Sequence, residues 1–218
     1  MRITSFYCIL IFAFSASNQS CRHSANRTEK PATYLQVTDF RGIKINLAKP
    51  ATRIICLIES ALSGFYMLHA GDNVIGVPSD IYNESTAKQY ALLDDRIRNE
   101  KLPSPGNWDF VSIENIVALQ PDLVIIWASQ TEAIASIEEH GIPVYAVFLK
   151  SFSDIYKEIK DFGILTGKSQ RADSLIKYTE DEIIKLKSNR QSSVVNKRSV
   201  YFSWPQGLLE TAGTTSTV

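Results

Sequence analysis

The chain has 218 residues, 44% of them hydrophobic, and its 23 basic residues balance 23 acidic ones to a formal net charge of zero. That length suits one or two globular domains with a buried core. No long run of Lys and Arg is present, which argues against nucleic acid as a partner, because phosphate contacts demand clustered positive charge.

The first residues read as a targeting segment. Arg2 gives a positive end, Phe6 to Phe14 is an apolar run, and Ser15, Ala16 and Ser17 are small. The run falls short of the roughly 20 apolar residues that a permanent membrane helix needs. Cys21 sits just beyond it, after Ser20 and before the polar stretch Arg22 to Arg27. This arrangement resembles a bacterial lipoprotein site, in which Cys21 would carry the lipid; ordinary cleavage near Ala16 or Ser17 is the alternative. Residues 1–21 are thus expected to be a signal peptide with a lipoprotein cysteine, and residues 22–33 a polar tether. Cys8 lies in the removed segment, so Cys56 alone remains, in an apolar run where a thiol behaves as a small hydrophobe. One thiol builds neither a disulfide scaffold nor a cysteine metal site.

Tyr34 to Thr38 and Ile43 to Leu47 alternate apolar and polar residues around Asp39-Phe40-Arg41-Gly42, a hairpin pattern. Strands and helices then alternate. A strand over Arg53 to Ile58 is followed by a helix over Ala61 to Ala70, a strand over Val74 to Val77 and a helix near Ser85 to Leu92. Ile113, Ile116, Val117 and Leu119 share one face of a short helix that Pro121 stops. Leu123 to Ile126 is an unbroken apolar run, the pattern of a strand covered on both faces, and it ends at Trp127. A helix over Thr131 to Glu139 closes at Gly141, and Pro143 leads into a strand over Val144 to Phe148. Such alternation predicts an α/β lobe over residues 34–150, with a mostly parallel sheet, flanking helices and right-handed crossovers. Ser153 or Asp154 can cap a helix carrying Ile155, Ile159 and Phe162 that breaks near Gly163 to Gly167. A second helix from Ser169 to about Ser188 carries Ala172, Leu175, Ile176, Ile183, Ile184 and Leu186. At about 1.5 Å per residue it would span roughly 30 Å. Residues 151–190 therefore form a helical segment.

Several of these stretches, in this order, resemble the cobalamin and ferric-siderophore binding proteins of bacterial ABC importers. They are "RIICLIESALSGFYMLHAGDNVIGV" from Arg53, "PSPGNWDF" from Pro103, "SIENIVALQPDLVIIW" from Ser112, "HGIPVYAV" from His140 and "DFGILTGKSQRAD" from Asp161. The resemblance covers residues 34 to 218. It implies two α/β lobes joined by the long helix, with "VYFSWPQGLLETAG" from Val200 opening the second lobe. Residues 198–218 are then expected to be a truncated start of a lobe that needs more than about a hundred further residues. An apolar strand with no helix after it has no partner layer of its own.

In open α/β sheets ligands sit beyond the carboxyl ends of the strands. Trp108 and Trp127 are the leading ligand candidates, since aromatic faces hold large flat ligands; a tryptophan at a strand end can equally be packed. The resemblance places both where cobalamin binders carry pocket tryptophans. Ser60, Ser79, Asp80 and Tyr82 follow the first two strands of the lobe and can line the same edge or cap helices. Glu114 points away from the apolar face of its short helix. The resemblance implies that it meets arginines of the membrane permease; an ordinary solvated glutamate is the alternative.

His23, His69 and His140 are scattered and do not make a metal-ligand set. Neither a nucleophile elbow nor a phosphate-cradling glycine loop is present, so an enzyme is not expected, and no cofactor is implied. The expectation is an exported, lipid-anchored component of an ABC importer in the periplasm or cell envelope. It would bind a ferric siderophore or corrinoid and deliver it to the permease. A non-transport lipoprotein that uses the single lobe as an interaction module is the alternative.

Overall fold

The computed structural model describes residues 35–191. The targeting segment, Cys21, the tether and residues 198–218 lie outside the described residues. Strands β1 (Leu35–Thr38) and β2 (Lys44–Leu47) form the expected antiparallel hairpin, turned at Gly42 with φ +83°. Four further strands build a parallel sheet in the order β4-β3-β5-β6: β3 is Ile54–Cys56, β4 Val74–Gly76, β5 Leu123–Trp127 and β6 Val144–Val147. Ile54, Ile55 and Cys56 pair with Leu123, Val124 and Ile125, and Trp127 lies opposite Val147.

Alternation along these strands makes two cores. Ile54, Cys56, Ile125, Tyr145 and Val147 face one side, where they meet helices α1 (Glu59–Met67), α6 (Phe152–Leu165) and the start of α7 (Ser169–Gln191). Ile55, Leu57, Val124, Ile126 and Ala146 face the other, against α4 (Ile113–Ala118) and α5 (Thr131–Glu139). The central strands are covered on both faces, as their unbroken apolar runs require. Two short helices, α2 (Glu84–Tyr90) and α3 (Asp95–Arg98), lie between β4 and α4; α3 had no periodicity to announce it.

The outer edge of β6 is closed by the hairpin turn. Phe40 N–H donates to Ala146 O at 3.2 Å, and the buried Asp39 carboxylate accepts from the backbone N–H groups of Ala146, Arg41 and Ile43. Asp39 also pairs with Arg41 at 2.7 Å. Pairing an edge strand in this way satisfies backbone groups that would otherwise face solvent.

Two helix ends differ from the expected ones, and a third falls where it was expected. Helix α1 stops at Met67 because His69 adopts a left-handed conformation, φ 56°, and Ala70 N–H reaches back to Phe65 O at 2.8 Å while His69 N–H reaches Tyr66 O. That is a Schellman closure on a histidine, where a glycine is the usual signal. Helix α6 is capped by Ser151, not by Ser153 or Asp154: the Ser151 hydroxyl accepts from Asp154 N–H, and the Asp154 carboxylate accepts from Lys150 N–H. The same helix passes through Gly163 and ends at Leu165, within the expected break from Gly163 to Gly167. A Cβ on Gly163 would lie 2.6 Å from the Ala172 Cβ, so this glycine serves the close approach of α6 and α7; the chain turns at Gly167, φ +70°. Toward its far end α7 exposes Tyr178, Ile184 and Leu186.

Candidate functional site

Because β3 to β6 are parallel, their carboxyl ends open on one edge. Four loops leave it there, and residues 103–112 lie against it. This last stretch is held by hydrogen bonds from both sides. Val77 N–H donates to Pro103 O at 3.0 Å and Ser79 N–H to Gly106 O at 2.9 Å, while the Gln130 amide donates to Asn107 O at 2.9 Å. Asn107 then folds a tight turn: its side-chain oxygen accepts the N–H groups of Asp109 and Phe110, and its own N–H donates to Phe110 O at 2.7 Å. Only glycine fits before it, since a Cβ on Gly106 would meet Phe110 O at 2.3 Å. Trp108 stands at the tip of this turn, 67% exposed.

Trp108 lines a groove of about 480 Å³ with Asp109, Ile113, Gln130, Glu132 and Ser136, along the first turns of α5. Trp127 ends β5 half-buried and packs on the other core, beside α1 and α6. The structure therefore places both tryptophans at the strand-end edge but on opposite sides of the sheet, and it does not bring their rings together. Ser60 is exposed in the first turn of α1, and Ser79 and Asp80 follow β4 at the edge. The Asp80 carboxylate accepts from the Asn107 amide at 3.1 Å. Tyr82 is directed elsewhere: its hydroxyl donates to Leu102 O at 2.7 Å, and burial pushes its phenol up. Glu114 is exposed on the first turn of α4 and makes no ion pair among the described residues.

Three further aromatic residues at this edge escaped the sequence reading. Phe110 is 66% exposed, Phe148 50% and Phe152 61%. For Phe148 and Phe152 a signal was available, since they follow β6 in its loop and in the first turn of α6; Phe110, between α3 and α4, is brought to the edge only by the Asn107 turn. Lys150 sits 4.8 Å over the Phe148 ring. Among the described residues no group of three or more His, Cys, Asp or Glu can hold a metal ion, and no helix is long and apolar enough to cross a membrane.

Beneath the edge, α6 brings two carboxyls into the first core. Asp161 accepts from the Tyr145 hydroxyl at 2.7 Å and pairs with Lys157, which also donates to Thr38 O. Glu158 is 5% exposed, its Oε1 has no hydrogen-bond partner, and burial pushes its carboxyl up to about 7. Its negative form would raise the Cys56 thiol and the Tyr145 phenol further, both already pushed up by burial.

The strand order, the two-sided burial and the loop edge define an α/β binding lobe, and sequence comparison agrees. The chain belongs to the periplasmic binding protein family, whose profile matches residues 54–217. It is 28% identical over 152 residues to an ABC transporter substrate-binding lipoprotein of Bacillus subtilis, YvrC, covering 67% of this chain and 44% of that protein. It is 23% identical over 196 residues to the iron(3+)-hydroxamate-binding protein FhuD of the same organism, covering 88% of this chain and 57% of the other. Among solved structures, the molybdate-binding protein MolA of Haemophilus influenzae superposes with a TM-score of 0.68 at 23% identity, over 78% of this chain and 58% of that one. The chain thus spans about half the length of these relatives.

Proposed function

We propose that this chain supplies the first ligand-holding lobe of the substrate-binding component of an ABC importer, and that its ligand is a ferric siderophore or corrinoid. The observation that carries this reading is the strand-end edge itself. Trp108, Phe110, Phe148 and Phe152 stand exposed there, around the half-buried Trp127. Large aromatic side chains left in water by the fold mark a surface that another body covers. The names of the relatives agree with a ligand-binding lipoprotein and with an iron chelate.

On this reading residues 34–150 form the lobe and α7 leads toward a second one. Trp108, Trp127, Ser60, Ser79 and Asp80 contact ligand, and Tyr82 stays on the list only through its ring, because its hydroxyl is engaged. Glu114, solvent-facing on α4, meets a basic group of the permease, and Cys21 carries the lipid that holds the protein at the membrane. The protein does no covalent chemistry on its ligand.

Tryptophan fluorescence of the purified chain, titrated with a ferric hydroxamate, a ferric catecholate, cyanocobalamin and haemin, tests the reading. Saturable quenching by one of them is expected, with affinity reduced at least about tenfold in Trp108→Ala. Flat titrations with all four, for a chain folded by circular dichroism, would sink it. Palmitate labelling of the expressed protein, lost in Cys21→Ser, tests the anchor.

A further inference from the structure

We infer that this edge selects large chelates without net negative charge and rejects anionic ones; the inference rests on the reading above. The loops and first turns that leave the four strands, with the Asn107 turn, carry the carboxylates Glu59, Asp80, Asp109, Glu132 and Asp154. Against them stands one ammonium, Lys150, already placed over the Phe148 ring. Arginine, the side chain best shaped to grip an anionic ligand bidentately, is absent from these segments.

Backbone donors do not make up the difference. Helices α1, α5 and α6 all start at this edge, where their amino-terminal N–H groups would ordinarily attract an anion. Each carries its own acid in the first turn: Glu59, Glu132 and Asp154. The Asp154 carboxylate is bonded to Lys150 N–H and to the Ser151 hydroxyl, which together hold it below the usual carboxylate range. The helix dipoles are therefore answered from within the chain, and an incoming anion meets carboxylates where it needs donors.

The aromatic groups have the opposite preference. Trp108, Phe110, Phe148 and Phe152 offer apolar faces and negative π surfaces, which favour a neutral or cationic guest of large area over a compact oxyanion. A ferric trihydroxamate, in which three monoanionic groups balance the metal, fits this description. A ferric tris-catecholate, trianionic at the same metal and similar size, does not, and neither does molybdate.

Equilibrium dialysis of the whole chain against ferrichrome, cyanocobalamin, ferric enterobactin and molybdate tests the selection. The neutral probes are expected to bind at least about tenfold more tightly than either anion, with an affinity that barely moves between low and high salt. Tighter binding of ferric enterobactin or molybdate than of both neutral probes would overturn the inference and leave the binding function standing. Retention of none of the four would overturn both. The variant Glu59→Gln, at an exposed position outside the Trp108 groove, should raise affinity for the anionic probes about threefold while leaving the neutral ones within about twofold. An unchanged preference in that variant, with its fold intact by circular dichroism, would overturn the electrostatic cause.

Discussion

The two ends of the parallel sheet solve the same problem, what to do with loop and helix termini, in opposite ways. At the amino-terminal end arginines consume it. Arg53 donates to Leu119 O and Gln120 O behind α4, Arg171 to Met67 O at the end of α1, and Arg96 to Gly71 O ahead of β4 and Val74 O at its start. Arg41 reaches Glu138 near the end of α5, and Arg98 closes Ala91 O at the end of α2. All five arginines whose side chains are described are thus bound to the chain's own carbonyls and carboxylates, cations set against the negative ends of helices. At the carboxyl-terminal end no such stapling occurs among the described residues, and aromatic rings are left in solvent. One end spends its best donors on stability; the other leaves aromatic rings exposed.

If that division is right, the largest loss of stability follows from damage to the stapled end. Asp94 is nearly buried, caps α3, accepts from the Tyr66 hydroxyl at 2.8 Å and pairs with Arg96 at 2.7 Å. Burial works to raise its carboxyl, yet the Arg96 and Tyr66 hydrogen bonds hold it below the usual range. Asp94→Ala leaves Arg96 without its counter-charge and removes the cap, and should cost about 3 kcal/mol in urea unfolding while leaving any ligand affinity within about twofold.

A second effect of similar size sits between the two ends and sharpens the contrast. Glu158 has a folded-state pKa of about 7 against 4.5 for the free group. Its protonated form is the one the core accepts, so the stability it permits is complete below pH 4.5. It declines as pH rises toward 7 and then levels off; about 3 kcal/mol is at stake. Denaturant midpoints across this range should fall for the native chain and stay flatter for Glu158→Gln. Parallel curves would show that the carboxyl is ionised at no cost.

The smallest stability effects belong to the open edge. Trp108→Ala and Glu114→Ala remove exposed side chains and should each change unfolding free energy by less than about 0.5 kcal/mol. A loss of more than about 1.5 kcal/mol from either would mean that the edge is built for support and would break the contrast. In a full-length relative, the change matching Glu114→Ala should reduce uptake and spare ligand affinity.

Much of the frame was legible because it rests on periodicity. The run Leu123 to Ile126 announced a doubly covered strand, the alternation around Gly42 announced a hairpin, and α5 has the bounds that its cap signals gave. What stayed hidden depends on contacts between segments far apart in sequence. Gly163 looks like a helix stop until Ala172 is seen against it, and His69 gives no hint that it takes a left-handed turn. Glu158 and Asp161 drew no reading from the sequence, because nothing local reveals that α6 turns them onto Tyr145 and Cys56. For the candidate site, the strand-end rule pointed to Trp127 and the family resemblance to Trp108, and the structure has both at the strand-end edge. Neither could say that the sheet would separate them, since side is decided by strand parity in one case and by the Asn107 turn in the other.

The closure of β6 by Asp39 and Phe40 has a consequence for life at high concentration. An unpaired outer strand is a template on which a second copy can add its own strand, the first step toward ordered aggregates. Here the turn between β1 and β2 occupies Ala146 on both its N–H and its carbonyl. Opening it with Asp39→Ala should therefore show first as time-dependent light scattering in concentrated samples.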